Sequence, residues 1–158
     1  MTDAPRTDAP QTGARRVPDW DEYFLGIAQA VAARAKCVRR RVGAVIVHGR
    51  RIIATGYNGA APGHPDCLEG ACPRGRLSYD EMPGLGDYDR PGTPGFCIAI
   101  HGEVNALLFS TRDTLGATIY ITDHPCPGCR KALAAAGIVR AVWPDGEYDA
   151  EGLVDWEK

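Results

Sequence analysis

Two short segments hold the residues best suited to chemistry. In CIAIHGEVNALL, residues 97–108, His101 and Glu103 flank a single glycine where an apolar-periodic stretch begins. In TDHPCPGC, residues 122–129, Cys126 and Cys129 are separated by Pro-Gly, and Pro127 suits the first turn of a helix. Thiols at a helix N-terminus are biased towards thiolate, because the macrodipole and free N–H groups favour negative charge there. One imidazole and two thiolates are ligands of the kind zinc takes. Three protein ligands with a fourth position open mark a catalytic zinc, whereas structural zinc takes four. Such an ion lowers the pKa of a water, and Glu103, which need not be a ligand, takes and returns protons beside it. The chemistry is metal-assisted hydrolysis. Taken singly, each half has a plainer reading, as a redox Cys-x-x-Cys pair or a chance His beside a Glu. Together, each opening a predicted helix, they favour the metal site.

These groups converge only if the helices carrying them begin at the same edge of a sheet. Asp19 is a good N-cap with Glu22 three residues on, the two halves of a capping box. Trp20, Phe24, Ile27 and Val31 follow at helical spacing, predicting a helix to about Lys36. VGAVIVH and RIIATGY are β-branched runs joined around His48-Gly49-Arg50, which reads as a hairpin. A second helix is expected over 102–111, a third strand over 117–122, a third helix from Cys126 stopped by Gly137, and a fourth strand in IVRAVWP. AEGLVDWEK reads as one more short helix. Helices between the later strands imply crossovers and a mixed sheet covered by helices.

The whole chain sets the bounds. Its 158 residues suit one domain, here 18–158, preceded by a polar tail at 1–17 with a TDAP repeat and too little apolar surface to order. A net charge of −2 and a pI near 6.1 argue against a nucleic-acid-binding surface. No apolar run reaches the roughly 18 residues needed to cross a bilayer. Arg15-Arg16 is followed by VPDWDEYF rather than an apolar core, so a twin-arginine leader is rejected and the cytoplasm is the expectation. There, six cysteines read as metal ligands, catalytic groups or buried thiols rather than disulfides.

The order H-x-E…P-C-x-x-C is the signature of zinc deaminases acting on nucleobases. With WDEYFLGIA, RRVGAVIV, GYNGA, HGEVNAL and TDHPCPGC, the chain from Trp20 to Pro144 resembles the cytidine deaminase-like superfamily and, within it, the deoxycytidylate (dCMP) deaminases. The resemblance implies an α/β fold, three-layer α/β/α with a central mixed five-stranded sheet. It implies zinc on His101, Cys126 and Cys129, Glu103 as proton shuttle, and Asn58 contacting the sugar or orienting the pyrimidine. It implies conversion of dCMP to dUMP, a homo-oligomer, and dCTP and dTTP as opposing effectors. Gly102 stands where the family usually has alanine. Drift at a tolerant position is one reading, and a pocket widened for a 5-substituted cytosine is the other. Rival substrates are a 5-modified cytosine nucleotide, a nucleoside, a purine or a tRNA adenosine, the last disfavoured by the acidic pI. A non-catalytic zinc module is a further rival, and Glu103 speaks against it.

Residues 59–97 form a long insertion rich in glycine and proline, with no periodicity. His64, Cys67, Cys72 and Cys97 offer a second, closed zinc site, which would supply folding free energy to such a segment; three reduced buried thiols are the alternative. Arg74 and Arg76 are candidates for a substrate phosphate, in competition with Arg39, Arg41 and Lys131. Cys37 is expected to pack at the end of the first helix, and His124 to stand beside the ligand loop without being a ligand. Tyr79, Tyr88 and Phe96 either stack on a base or anchor the insertion.

Overall fold

The computed structural model describes residues 16–82, 87–111 and 113–157. All of the expected tail except Arg16 and Val17 lies outside them. Helix α1, Trp20–Ala32, begins with the expected box: Asp19 accepts the Glu22 N–H and Glu22 accepts the Asp19 N–H, both at 2.9 Å. It stops four residues before the expected end, in tight turns where the N–H groups of Ala33, Arg34 and Ala35 reach back only three residues. Strands β1, Gly43–His48, and β2, Arg51–Tyr57, form the expected hairpin. Its two-residue turn puts Gly49 at φ 55° and Arg50 at φ 61°, the left-handed pair that suits the strands' twist.

Helix α2, Gly102–Leu108, leads to β3, Thr118–Ile121; α3, Pro127–Ala135, leads to β4, Arg140–Trp143. A fifth strand, β5, Gly146–Asp149, then runs into α4, Ala150–Val154. The sheet order is β2-β1-β3-β4-β5, parallel only between β3 and β4. This is the mixed five-stranded sheet that the resemblance implies, although chain periodicity alone predicts only four strands.

β1 is buried on both faces and reads as a continuous apolar run for that reason. Ala44 and Ile46 point to one core with Ala106, Ile119, Ile121 and Leu133, under α2 and α3. Val45 and Val47 point to the other with Phe24, Ala28, Tyr120 and Val142, under α1. Three layers result. Within them α2 approaches β2 so closely that a Cβ on Gly56 would lie 2.2 Å from the Gly102 carbonyl oxygen and 2.3 Å from the Ala106 nitrogen. That contact brings the start of α2 down onto the hairpin, and Asn105 fastens it by donating to the Tyr57 carbonyl at 2.8 Å.

Candidate active site

His101 is the N-cap of α2, Cys126 is the N-cap of α3, and Cys129 lies in the first turn of α3. Both helices start at one edge of the sheet, as convergence requires. The Nδ1 atom of His101 lies 3.5 Å from the Cys126 sulfur and 3.2 Å from the Cys129 sulfur, and the three donor atoms all fall within 4.8 Å of one another. Ligands about 2.0–2.3 Å from a tetrahedral zinc stand roughly 3.5–3.8 Å apart, so the donor set fits that ion. The electrostatics also suit it. The Cys126 thiol is pushed down to about 4, by the Cys129 thiol, the His101 ring and the Cys129 amide donating to it. Cys129 is raised in turn, because one sulfur of the pair holds the charge. The His101 ring is held above its usual range, chiefly by the Cys126 sulfur.

Glu103, 4% exposed, sits behind the donors in the first turn of α2. Burial pushes its carboxyl above the ordinary carboxylate range, while its own amide and the neighbouring His101 oppose that. His101, Glu103 and Cys126 line a cavity of about 840 Å³, and Cys129 is buried. That is room for a nucleotide-sized ligand.

The other expected site residues divide. Asn58 lines the cavity, but its amide is engaged: Oδ1 accepts the Val42 N–H and Nδ2 donates to the Arg40 carbonyl, both at 2.8 Å. One N–H and one lone pair remain for a ligand. Gly102 lines the cavity, and of its two readings the geometry favours the plainer one: a Cβ there would meet the Val42 and Gly56 carbonyl oxygens, at 3.2 and 3.3 Å, so the missing methyl eases helix–strand packing. Arg74 is buried, donates to the Gly95 carbonyl at 3.2 Å and lies over the Tyr88 ring. Arg76 donates to the Gly70 carbonyl and does not line the cavity. Both brace the insertion. Arg39 does the same through the carbonyls of Arg74 and Leu77. Arg40, which sequence reasoning passed over, is exposed at the cavity, where its guanidinium pairs with Asp123 at 2.7 Å. His124 meets Tyr148 rather than the donors.

The insertion is closed at its base by a pair of hydrogen bonds between Gly59 and Ile100. Of its four proposed metal ligands, His64 is exposed and outside the cavity lining, whereas Cys67, Cys72 and Cys97 line it. The residue that joins them is Cys37, just past α1, whose sulfur accepts the Arg39 and Arg40 N–H groups. Cys72 and Cys97 sulfurs are 4.0 Å apart, and no three of these sulfurs lie as close together as the donors around His101. Chain spacing favoured His64 because it is near Cys67. Only the closed base of the insertion carries the segment back to Cys37.

A mixed sheet with two helix starts presenting a three-donor zinc set and a buried carboxylate defines the class of zinc-site α/β hydrolytic enzymes. Residues 18–144 match the family described as the cytidine and deoxycytidylate deaminase zinc-binding region, and the chain belongs to that family. It is 52% identical over 128 residues to the deoxycytidylate deaminase of Mycobacterium phage D29, covering 80% of this chain and 95% of that one. It is 38% identical over 128 residues to the deoxycytidylate deaminase of Schizosaccharomyces pombe, of whose length the chain spans 37%. Among solved structures it resembles the dCMP deaminase of cyanophage S-TIM5, at a TM-score of 0.59 and 26% identity, over 81% of this chain and 84% of that one. A second structure of that phage enzyme holds dCMP and dUMP.

Proposed function

We propose that the protein hydrolyses dCMP to dUMP and ammonia, with zinc on His101, Cys126 and Cys129 and with Glu103 moving protons. The observation that carries this reading is the fit of three donors to a tetrahedral ion beside a carboxyl group only 4% exposed, at a nucleotide-sized cavity. The likeness to named deoxycytidylate deaminases supports the base and the phosphate state.

A zinc ion held by these donors supplies Lewis acidity, lowering the pKa of a water towards 7. Glu103 does the proton work. Its carboxylate takes one proton of the attacking water and delivers it to N3 of the cytosine ring, then takes the proton of the new C4 hydroxyl and delivers it to the exocyclic nitrogen. The bond from C4 to the exocyclic nitrogen breaks, ammonia leaves and a C4 carbonyl remains, so one water is consumed and no redox partner is needed. A carboxyl raised by burial suits both halves of that exchange, because its affinity for the proton approaches that of the groups it serves. Asn58 holds residues 40–42 against the strand end and keeps one donor and one acceptor for the nucleotide. Arg40 meets the 5′-phosphate, exchanging Asp123 for a ligand that takes two parallel hydrogen bonds.

The reading extends to a second, closed zinc site on Cys37, Cys67, Cys72 and Cys97. Supporting it are four cysteines that line the same cavity, with the Arg39 and Arg40 N–H groups donating to the Cys37 sulfur and the Cys72 and Cys97 sulfurs 4.0 Å apart. Thiolates gain from such donors. Cytoplasmic placement, the expectation from the rejected twin-arginine leader, joins homo-oligomerisation and opposing control by dCTP and dTTP, which the family resemblance implies; light scattering and turnover with each triphosphate test the last two. The test of substrate is ammonia release from dCMP, deoxycytidine and 5-methyl-dCMP in parallel. Turnover of dCMP far above deoxycytidine is expected, and equal turnover of the two would reject the nucleotide assignment.

A further inference from the structure

Among the described residues, the Tyr88 side chain carries the insertion to His101. Nδ1 of His101 faces the two thiols, so Nε2 is the ring atom on the far side. It lies 3.1 Å from the Tyr88 hydroxyl, with the two rings edge to face at 5.4 Å and 88°. When Nδ1 binds a metal, the neutral ring carries its proton on Nε2, which is then a donor only. The Tyr88 oxygen is the acceptor in place. Ligand histidines need such a partner, because it fixes the tautomer and the ring plane.

Tyr88 is itself held from three sides. The Arg74 guanidinium lies over its ring at 5.1 Å, and Arg74 is fixed to Gly95 and, through its backbone N–H, to Phe96. The Tyr88 carbonyl accepts the Cys97 N–H at 3.0 Å. Its hydroxyl proton is not needed by His101 and is available to the Cys97 sulfur, with which the side chain also interacts. A phenol placed between an imidazole N–H and a sulfur can accept from the first and donate to the second.

We infer that Tyr88 is a positioning residue for the zinc ligand His101, accepting its Nε2–H and tying the ligand's orientation to the thiol cluster of the insertion through Cys97. The inference rests on the proposed zinc reading, since it needs Nδ1 on the metal. It gives the insertion a function in the site: residues 87–97 form a strut on the metal ligand rather than only a wall of the cavity. The roles of Arg74 and Cys97 follow from it, as supports for one hydroxyl group.

The test is the zinc affinity of Tyr88→Phe, measured by chelator competition, with the d–d spectrum of the cobalt-substituted protein alongside. Loss of a ligand's outer partner costs about 10–100-fold in metal affinity. The expectation is a loss in that range, a shifted cobalt spectrum, and an unchanged unfolding midpoint for the metal-free protein, which a merely structural role would lower. Affinity within twofold of wild type, with an unaltered spectrum, would overturn the inference while leaving the zinc reading intact. That reading fails separately, if Cys126→Ser binds zinc as wild type does. Should Tyr88→Phe not fold, ¹⁵N-histidine NMR of the zinc-loaded wild type decides. A slowly exchanging proton on Nε2 of His101 supports the inference, and a proton on Nδ1 contradicts it.

Discussion

At the scale of residues, Glu103 carries the sharpest prediction. Its carboxyl is buried beside the donors, and Gln keeps the shape while losing the proton chemistry. General acid–base groups contribute about 10²–10⁴-fold, so Glu103→Gln should lower kcat by that factor with zinc content unchanged, as read by steady-state kinetics and metal analysis. Arg40→Gln should act differently, raising KM for dCMP about tenfold or more and leaving deoxycytidine unaffected, because a hydrogen-bonded charge contributes roughly 1.5–3 kcal/mol. Gly102→Ala should not change the preference between dCMP and 5-methyl-dCMP, since its Cβ would meet backbone oxygens of Val42 and Gly56. The donors and the carboxylate were legible in the sequence, because ligand type and helix-start position are local properties. Arg40, Tyr88 and Cys37 were not. Which arginine is spent on backbone carbonyls, which tyrosine reaches a histidine and which cysteine joins a cluster depend on how a long insertion folds back.

At the scale of elements, two glycines separate packing from propensity. Gly56 supports backbone contact between β2 and α2, and Gly56→Ala should destabilise the protein by more than about 2 kcal/mol in urea unfolding, because backbone cannot yield as a side chain does. Gly26 is exposed within α1 with nothing within 4 Å of its Cβ position, and Gly26→Ala should stabilise by about 0.5–1 kcal/mol. The ion pair from α1 to β4, Arg140 with Asp21 at 2.7 Å, predicts a pH effect. The Arg140 guanidinium holds the Asp21 carboxyl below the usual carboxylate range. A depressed carboxylate stabilises the fold above its unfolded pKa of about 4, and that contribution drains as pH falls through the folded value. Asp21→Asn should therefore lower stability at pH 7 and remove part of the acid sensitivity below pH 4. The effect should stay under about 1 kcal/mol, because both side chains are more than a third exposed or close to it. The capping box of α1 was readable residue by residue, since it is written in four consecutive positions. β5 was not, because Gly-Glu-Tyr-Asp has no strand pattern and owes its pairing to β4.

At the scale of the molecule, the insertion joins parts of the chain that are far apart in sequence. Cys37 follows α1, Cys97 precedes α2, and Cys67 and Cys72 lie between, all lining the cavity that His101, Glu103 and Cys126 also line. Two zinc ions per chain are expected by elemental analysis. Cys72→Ser should leave one, and should lower the melting temperature by several degrees without abolishing zinc at His101. One zinc per wild-type chain in fully active protein would remove the second site. The most direct measurement of the central claim is ammonia release from dCMP by the zinc-loaded protein, beside Glu103→Gln protein of equal zinc content. Turnover by the wild type, with loss of at least a hundredfold in the variant, is the predicted result. Zinc bound at His101, Cys126 and Cys129 with no release of ammonia from dCMP, or equal turnover by both proteins, would contradict it.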